Sequence, residues 1–190
     1  GCIRWMFKTT AEVRTGIVVS DWKPGEKSNP LIYFGDLVGN IYAVNAGSGE
    51  LVWRDRPDDH PSLTLTAAPA LHDGVLYVPL SSLEVTEAAD PNYACCTFRG
   101  GVAAYDAATG KKLWTGYTID TPPEVVGKNA VGTDRIAPSG APVWNTPAID
   151  FYTACGAIPS GDAWCVGNNT STNPGFARSR DGLQAPINRS

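Results

Sequence analysis

Several residues of this chain have the types and placement to grip a flat, negatively charged molecule. Arg14 lies in Val13-Arg-Thr-Gly16, and Thr64-Leu-Thr66 takes the same place one repeat later. Ser81-Ser-Leu-Glu84 follows an apolar run, and Trp144 ends Ser139-Gly-Ala-Pro-Val-Trp144. An Arg pairs with a carboxylate in charge-assisted hydrogen bonds. A Trp offers a stacking face, and a Glu offers a hard oxygen ligand for a metal. Taken singly, each has a plainer reading: a rim Arg, a loop carboxylate, a core Trp. Their shared position in successive repeats is what sets them apart. A second unusual feature is the doublet Cys95-Cys96. Disulfide geometry is specific, and joining neighbours demands a distorted peptide. On spacing alone, two free or separately paired thiols are the simpler state.

The elements that must hold these residues are written twice. Ile41-Tyr-Ala-Val-Asn-Ala-Gly-Ser-Gly-Glu-Leu-Val-Trp53 is echoed by Val102-Ala-Ala-Tyr-Asp-Ala-Ala-Thr-Gly-Lys-Lys-Leu-Trp114, and Gly1-Cys-Ile-Arg-Trp5 resembles the end of a third copy. Each copy reads as a strand, a glycine turn and a strand closed by Trp. Self-similarity on the scale of about 40–50 residues built from short strands is the mark of a β-propeller. The first blade is expected to use strands at Gly16–Ser20, Leu31–Phe34, Ile41–Val44 and Glu50–Trp53. The second should open at Leu65–Pro69, turn at Asp73-Gly74, and continue through Val75–Leu80, Gly101–Tyr105 and Lys112–Trp114. A third opens at Pro142–Ile149. Trp53 and Trp114 are read as packing between blades. After Asp150 the pattern stops, so 1–150 reads as a partial propeller of about three blades and 151–190 as an irregular tail rich in Asn, Ser, Thr, Gly and Arg. The Asn168-Asn-Thr-Ser-Thr sequons in that tail carry little weight.

Composition agrees with a globular all-β chain. Of 190 residues, 43% are hydrophobic and 18% charged, and 20 Gly, 15 Pro and 6 Trp fit many tight turns with aromatic plugs. The net charge of −4 comes without a basic stripe for nucleic acid. No run reaches the ~20 apolar residues that span a bilayer. The five Cys include no CxxC pair and no zinc spacing.

Val13-Arg-Thr, Asp58-Asp-His-Pro61, Cys95-Cys-Thr-Phe-Arg-Gly100 and the Ala-x-Asp-Ala-x-Thr-Gly-x-x-x-Trp repeat together resemble the pyrroloquinoline quinone (PQQ)-dependent, or quinoprotein, alcohol dehydrogenases. The resemblance runs from Gly1 to Asp150. It implies an eight-bladed propeller, of which about three blades are present here, with PQQ in the axial channel and Ca²⁺ beside it. By that likeness Arg14, Thr64, Thr66, Ser81, Ser82 and Arg99 would bind or line the quinone. Trp144 would stack on one face, an oxidised Cys95-Cys96 would cover the other, and Glu84 would approach the metal. One departure stands out, because in the better-known members the doublet precedes the residue matching Arg14. Lys8-Thr9 occupies that place here.

The implied reaction is oxidation of secondary alcohol groups, such as those of polyvinyl alcohol, with electrons passed to a cytochrome c in the periplasm or outside the cell. The catalytic Asp base is expected on a later blade, and Asp150 is not assigned to it. Three blades cannot close a ring, so the chain by itself is expected to be inactive and marginally folded. The alternative is a non-catalytic propeller that serves as a protein-binding scaffold. Such a scaffold needs the Trp repeats but not the matched Arg, Glu and Trp or the cysteine doublet.

Overall fold

The structure, a computed structural model, describes residues 1–149 and the backbone of 153–157, 163–167 and 176–179. Strands β1 (Val18–Val19), β2 (Leu31–Gly35), β3 (Ile41–Asn45) and β4 (Leu51–Asp55) form one antiparallel sheet in chain order. The next sheet has β5 (Leu63–Thr64) and β6 (Ala70–His72) both paired with the long β7 (Val75–Ser82). A short helix α1 (Glu84–Glu87) follows, then β8 (Gly101–Asp106) and β9 (Lys112–Tyr117) complete that sheet. A separate hairpin, β10 (Glu124–Lys128) and β11 (Asp134–Ala137), leads to β12 (Ala148–Ile149). β12 pairs with β13 (Thr153–Ala157), β13 with β14 (Ala163–Gly167) and β14 with β15 (Phe176–Ser179). Three blade-like meanders therefore succeed one another, the first two as the repeat predicts.

Burial follows the two-residue period of the strands. Tyr33, Ile41 and Ala43 of the first blade meet Leu63, Leu65, Leu76, Val78, Leu80 and Tyr105 of the second in one core. The alternate residues Phe34, Tyr42 and Val44 pack the other way, against Trp5 and Phe7. Both faces of β2 and β3 are thus covered. Each large aliphatic side chain buried there is worth about 1.5–3 kcal/mol.

The Trp that closes one copy docks on the turn of the next. Trp5 Nε1 donates to Ala46 O at 3.0 Å, and Trp53 Nε1 donates to Ala107 O at 2.9 Å. Beneath the two rings lie Gly49 (φ 76°) and Gly110 (φ 72°). A Cβ at either would stand inside van der Waals contact of the indole, 2.6 Å from its nearest atom. Glycine is required there twice over, for the left-handed backbone and for the close approach. The repeated Gly-to-Trp spacing in the sequence is this dock.

One expectation is corrected. The innermost strands are interrupted rather than continuous. Around Thr15, the hydroxyl takes the place of the ladder, accepting from Gly35 N at 2.9 Å. Between β5 and β6, Pro69 has no N–H to donate. In the tail, β13, β14 and β15 continue the sheet begun by β12. Small residues dominate these segments, Thr-Ala-Cys-Gly-Ala in β13 being typical, so no apolar alternation announces them. Asp150 and the Asn168 sequons lie outside the described residues.

Candidate quinone site

The second and third blade openings make the same contact, and the first meets the equivalent strand of its own blade. Val13 bridges to Asp36 at the end of β2. Leu65 N donates to Asp36 O at 3.2 Å, and Val143 N donates to Leu80 O at 2.9 Å. Each opening thus hooks onto the second strand of a blade, its own in the case of Val13 and the preceding one for Leu65 and Val143. The next residue in each case is Arg14, Thr66 or Trp144. The shared bond makes Thr66 and Trp144 counterparts, and Arg14 stands beside them by the sequence order Val-Arg-Thr-Gly, Leu-Thr-Ala-Ala and Val-Trp-Asn-Thr.

Around the second opening lies a cluster of hydroxyls. Thr64 and Ser81 are paired across β5 and β7 and are both 1% exposed. Ser81 Oγ donates to Thr64 O at 3.0 Å and shares a hydrogen bond with Thr66 Oγ1 at 2.9 Å. Thr64 Oγ1 is buried with no hydrogen-bond partner among the described residues. An unpaired buried hydroxyl is costly, and such a group is completed by a buried water, an ion or a ligand that the surrounding side chains move aside to admit. Trp144 is about half exposed, a free aromatic face beside this cluster's β7.

Glu84 sits at the start of α1 and is only 3% exposed. Its own N–H is received by Ser82 Oγ at 2.9 Å. Its carboxylate gathers the loop that carries the cysteines: Oε1 accepts from Thr97 N at 2.7 Å, Thr97 Oγ1 at 3.3 Å and Tyr93 O–H at 3.1 Å, and Oε2 accepts from Phe98 N at 2.9 Å. Burial, reinforced by the bond to Glu84 and by its charge, pushes the Tyr93 phenol up to about 12. The Sγ atoms of Cys95 and Cys96 are in bonding contact, and the peptide between them is cis. On its other side this loop lies along β11: Ile136 N donates to Cys95 O at 2.8 Å and Cys96 N to Ile136 O at 3.2 Å. Further along, Gly140 N donates to Phe98 O at 2.6 Å and Gly100 N to Gly140 O at 2.8 Å. The path runs on directly to Val143 and Trp144. A Cβ at Gly100 would collide with Ala141 O, which is why glycine closes the Cys95–Gly100 run.

The expected site residues therefore divide. Thr64, Thr66 and Ser81 are brought together, Ser82 instead accepts from Glu84 N and so links β7 to α1 and the Cys95-Cys96 loop, and Trp144 adjoins through β7. Arg14 shares the sequence order but extends into solvent, 64% exposed, and pairs with Glu12 at 2.5 Å. Arg99 is held elsewhere: its guanidinium donates to Ile119 O and Asp120 O and lies 3.9 Å from the centre of the Tyr117 ring. Three partners of the carboxylate were missed from sequence: Tyr93, Thr97 and His60. His60 Nε2 lies 2.9 Å from Thr97 Oγ1 and 3.7 Å from Glu84 Oε1. Asp58-Asp-His-Pro61 flagged the segment, but nothing local to it shows which loop it meets.

The PQQ_2 family model, described as outer membrane protein assembly factor BamB, matches residues 1–124. Over 150 residues the chain is 35% identical to a polyvinylalcohol dehydrogenase of Sphingopyxis sp. (strain 113P3), covering 79% of this chain and 23% of that protein. A polyvinylalcohol dehydrogenase of Pseudomonas sp. matches at 33% identity, also over 79% of this chain and 24% of its own length. The chain belongs to the quinoprotein alcohol dehydrogenase family. The chain spans about a quarter of the length of those curated relatives. Its fold is that of the quinohemoprotein alcohol dehydrogenases of Comamonas testosteroni (TM-score 0.52, 17% identity) and Pseudomonas putida HK5 (TM-score 0.51, 21% identity). Each alignment covers 84% of this chain and 26% of the other.

Proposed function

We propose that this chain carries part of the cofactor site of a PQQ-dependent dehydrogenase acting on secondary alcohol groups, polyvinyl alcohol or a similar substrate. The observation that carries the reading is the buried, unpartnered Thr64 hydroxyl within the Thr66 and Ser81 cluster. That cluster fits a flat, carboxylate-bearing quinone. Thr64 Oγ1 would donate to one of its oxygens, Thr66 and Ser81 would line the same edge, and Trp144 would supply an aromatic face. Arg14 would swing from Glu12 to a quinone carboxylate, and the cysteine pair, as a vicinal disulfide, would cover the opposite face. When bound, PQQ supplies a two-electron quinone that takes up a hydride from the alcohol carbon.

The fit to a metal is poorer. Ca²⁺ takes 6–8 oxygen ligands, and among the described residues no group of three or more His, Cys, Asp or Glu is gathered to hold one. Glu84 is the one candidate, and its oxygens already accept four hydrogen bonds from the loop. No step is assigned to a metal here. The periplasmic or extracellular setting and a cytochrome c as electron acceptor belong to the same proposal. The cytochrome c acceptor takes support from relatives named methanol dehydrogenase [cytochrome c] subunit 1. Among the described residues no helix is long and apolar enough to cross a membrane.

A second reading, a non-catalytic scaffold for other proteins, draws on the assembly-factor description of the matching family model. Titration of the chain with PQQ, followed by quenching of Trp fluorescence, separates the two. Saturable binding that weakens in Trp144→Ala supports the quinone site. Binding that never saturates supports the scaffold. Dye reduction with polyvinyl alcohol or 2-hexanol, after addition of PQQ and Ca²⁺, then tests whether the chain turns over by itself.

A further inference from the structure

The Asp58-Asp-His-Pro61 turn is built far more heavily than a surface connection requires. Arg56 holds it from beneath, donating to Val38 O at 3.1 Å, Asp58 O at 2.7 Å and His60 O at 2.9 Å. Asp58 Oδ1 accepts from His60 N at 2.8 Å, and Asp58 Oδ2 accepts from Tyr117 O–H at 3.0 Å. His60 Nδ1 accepts from Ser62 N at 3.2 Å. That bond fixes the tautomer, because an accepting Nδ1 leaves the neutral ring's proton on Nε2. The N–H is thereby aimed at Thr97 Oγ1, 2.9 Å away, with Glu84 Oε1 at 3.7 Å. The ring also meets Phe98 edge-on, centroids 5.3 Å apart. Only 13% of the side chain is exposed. Thr97 directly follows the Cys95-Cys96 pair.

We propose that His60 is a positioning residue: through Thr97 and Phe98 it clamps the cysteine-bearing loop over the quinone site. Glu84 grips the loop backbone, while His60 fixes the rotation of the Thr97 hydroxyl and closes the loop from the side opposite β11. His60 itself reaches none of the hydroxyls of the Thr64, Thr66 and Ser81 cluster, so its effect on a ligand passes through the loop. The proposal rests on the quinone reading for what the loop covers, but the clamp is measured independently of it.

Three substitutions dissect the ring. His60→Ala removes both nitrogens, His60→Gln restores a donor near Nε2, and His60→Asn restores an acceptor near Nδ1. Hydrogen exchange of the Thr97 and Phe98 amides reads the clamp, and PQQ titration by Trp fluorescence reads its consequence. Exchange in His60→Ala should rise about tenfold, the equivalent of one lost hydrogen bond, and PQQ affinity should fall several-fold. His60→Gln should recover most of both, and His60→Asn should recover little. Thr97→Val should also loosen the loop, and combining it with His60→Ala should raise exchange by less than the product of the two separate effects, because both remove the same bond. Unchanged exchange in His60→Ala overturns the clamp. Recovery by His60→Asn but not by His60→Gln also overturns it, since the ring would then serve only its own turn. Loosened exchange with unchanged PQQ affinity refutes the positioning role while leaving the quinone site intact. A wild-type chain that binds no PQQ refutes the quinone reading, and the exchange data still decide the clamp.

Discussion

Replacing Thr64 by Val should make the empty chain more stable and its quinone binding weaker. Thr64 is 1% exposed on β5, and its Oγ1 has no partner among the described residues. A buried hydroxyl without a hydrogen bond costs about 1–3 kcal/mol relative to one in water. Val keeps the β-branched shape that suits a strand and turns the hydroxyl into a methyl of nearly the same size. The bond from Ser81 Oγ to the Thr64 carbonyl is a backbone contact and survives the change. A net gain of about 1–2 kcal/mol follows. Urea denaturation followed by Trp fluorescence should show a higher midpoint with an unchanged slope. In the presence of PQQ the sign reverses. A lost hydrogen bond to the ligand should raise its Kd about five- to tenfold. Opposite signs in the two experiments are difficult to obtain from a merely structural threonine. Destabilisation of the empty chain by more than about 0.5 kcal/mol would refute the reasoning, because the hydroxyl would then already be satisfied. An unchanged Kd would show that it does not face the ligand.

The other predictions test the frame around that site. Gly110→Ala forces a left-handed alanine and drives its methyl into the Trp53 ring, so it should cost roughly 2–4 kcal/mol; Gly49→Ala should behave alike against Trp5, and a shift under about 0.5 kcal/mol would remove the dock. Glu84→Gln should cost about 2–3 kcal/mol by denaturation, since the amide N–H₂ must face either the Phe98 or the Thr97 N–H; unaltered stability would show that the carboxylate is not the anchor of the loop. Burial, with Asp106 adding its charge, pushes the Tyr33 phenol up to about 12, as burial and Glu84 do for Tyr93. Both folded values lie above the ordinary value of 10, so their contribution to stability is complete below pH 10 and lost as pH rises from about 10 to about 12. Ultraviolet titration should show Tyr33, Tyr93 and the still more strongly raised Tyr105 ionising late, with Tyr77 and Tyr117 also shifted upward, and one late group fewer in Tyr93→Phe; uniform ionisation near 10 would contradict the packing.

The propeller was legible because its recurring unit is a local one. Strand, glycine turn and Trp stand in a fixed order, and Gly49 and Gly110 serve the same purpose in both copies. The equivalence of Thr66 and Trp144 could be read for the same reason. What the sequence hid was non-local. Glu84 looked like a loop carboxylate, but residues 93–98 fold back onto it and bury it. His60 and Thr97 are far apart along the chain, and no spacing rule connects them. Arg99 has the right charge for an anion, yet the nearby Ile119 and Asp120 carbonyls and the Tyr117 ring claim it. The broken inner strands were hidden because a threonine hydroxyl can stand in for a ladder bond without altering the apolar pattern. The hairpin of β10 and β11 was likewise unannounced: every residue of β10 is exposed, so no buried face imposes alternation on it.

The central claim is that successive blade openings direct their side chains toward one pocket shaped for a flat quinone. A crystal structure of the chain grown with PQQ tests it most directly. The account predicts the quinone stacked on Trp144, with one of its oxygens within hydrogen-bond distance of Thr64 Oγ1. A quinone bound away from both residues, with the Thr64 hydroxyl still unpartnered, would contradict it.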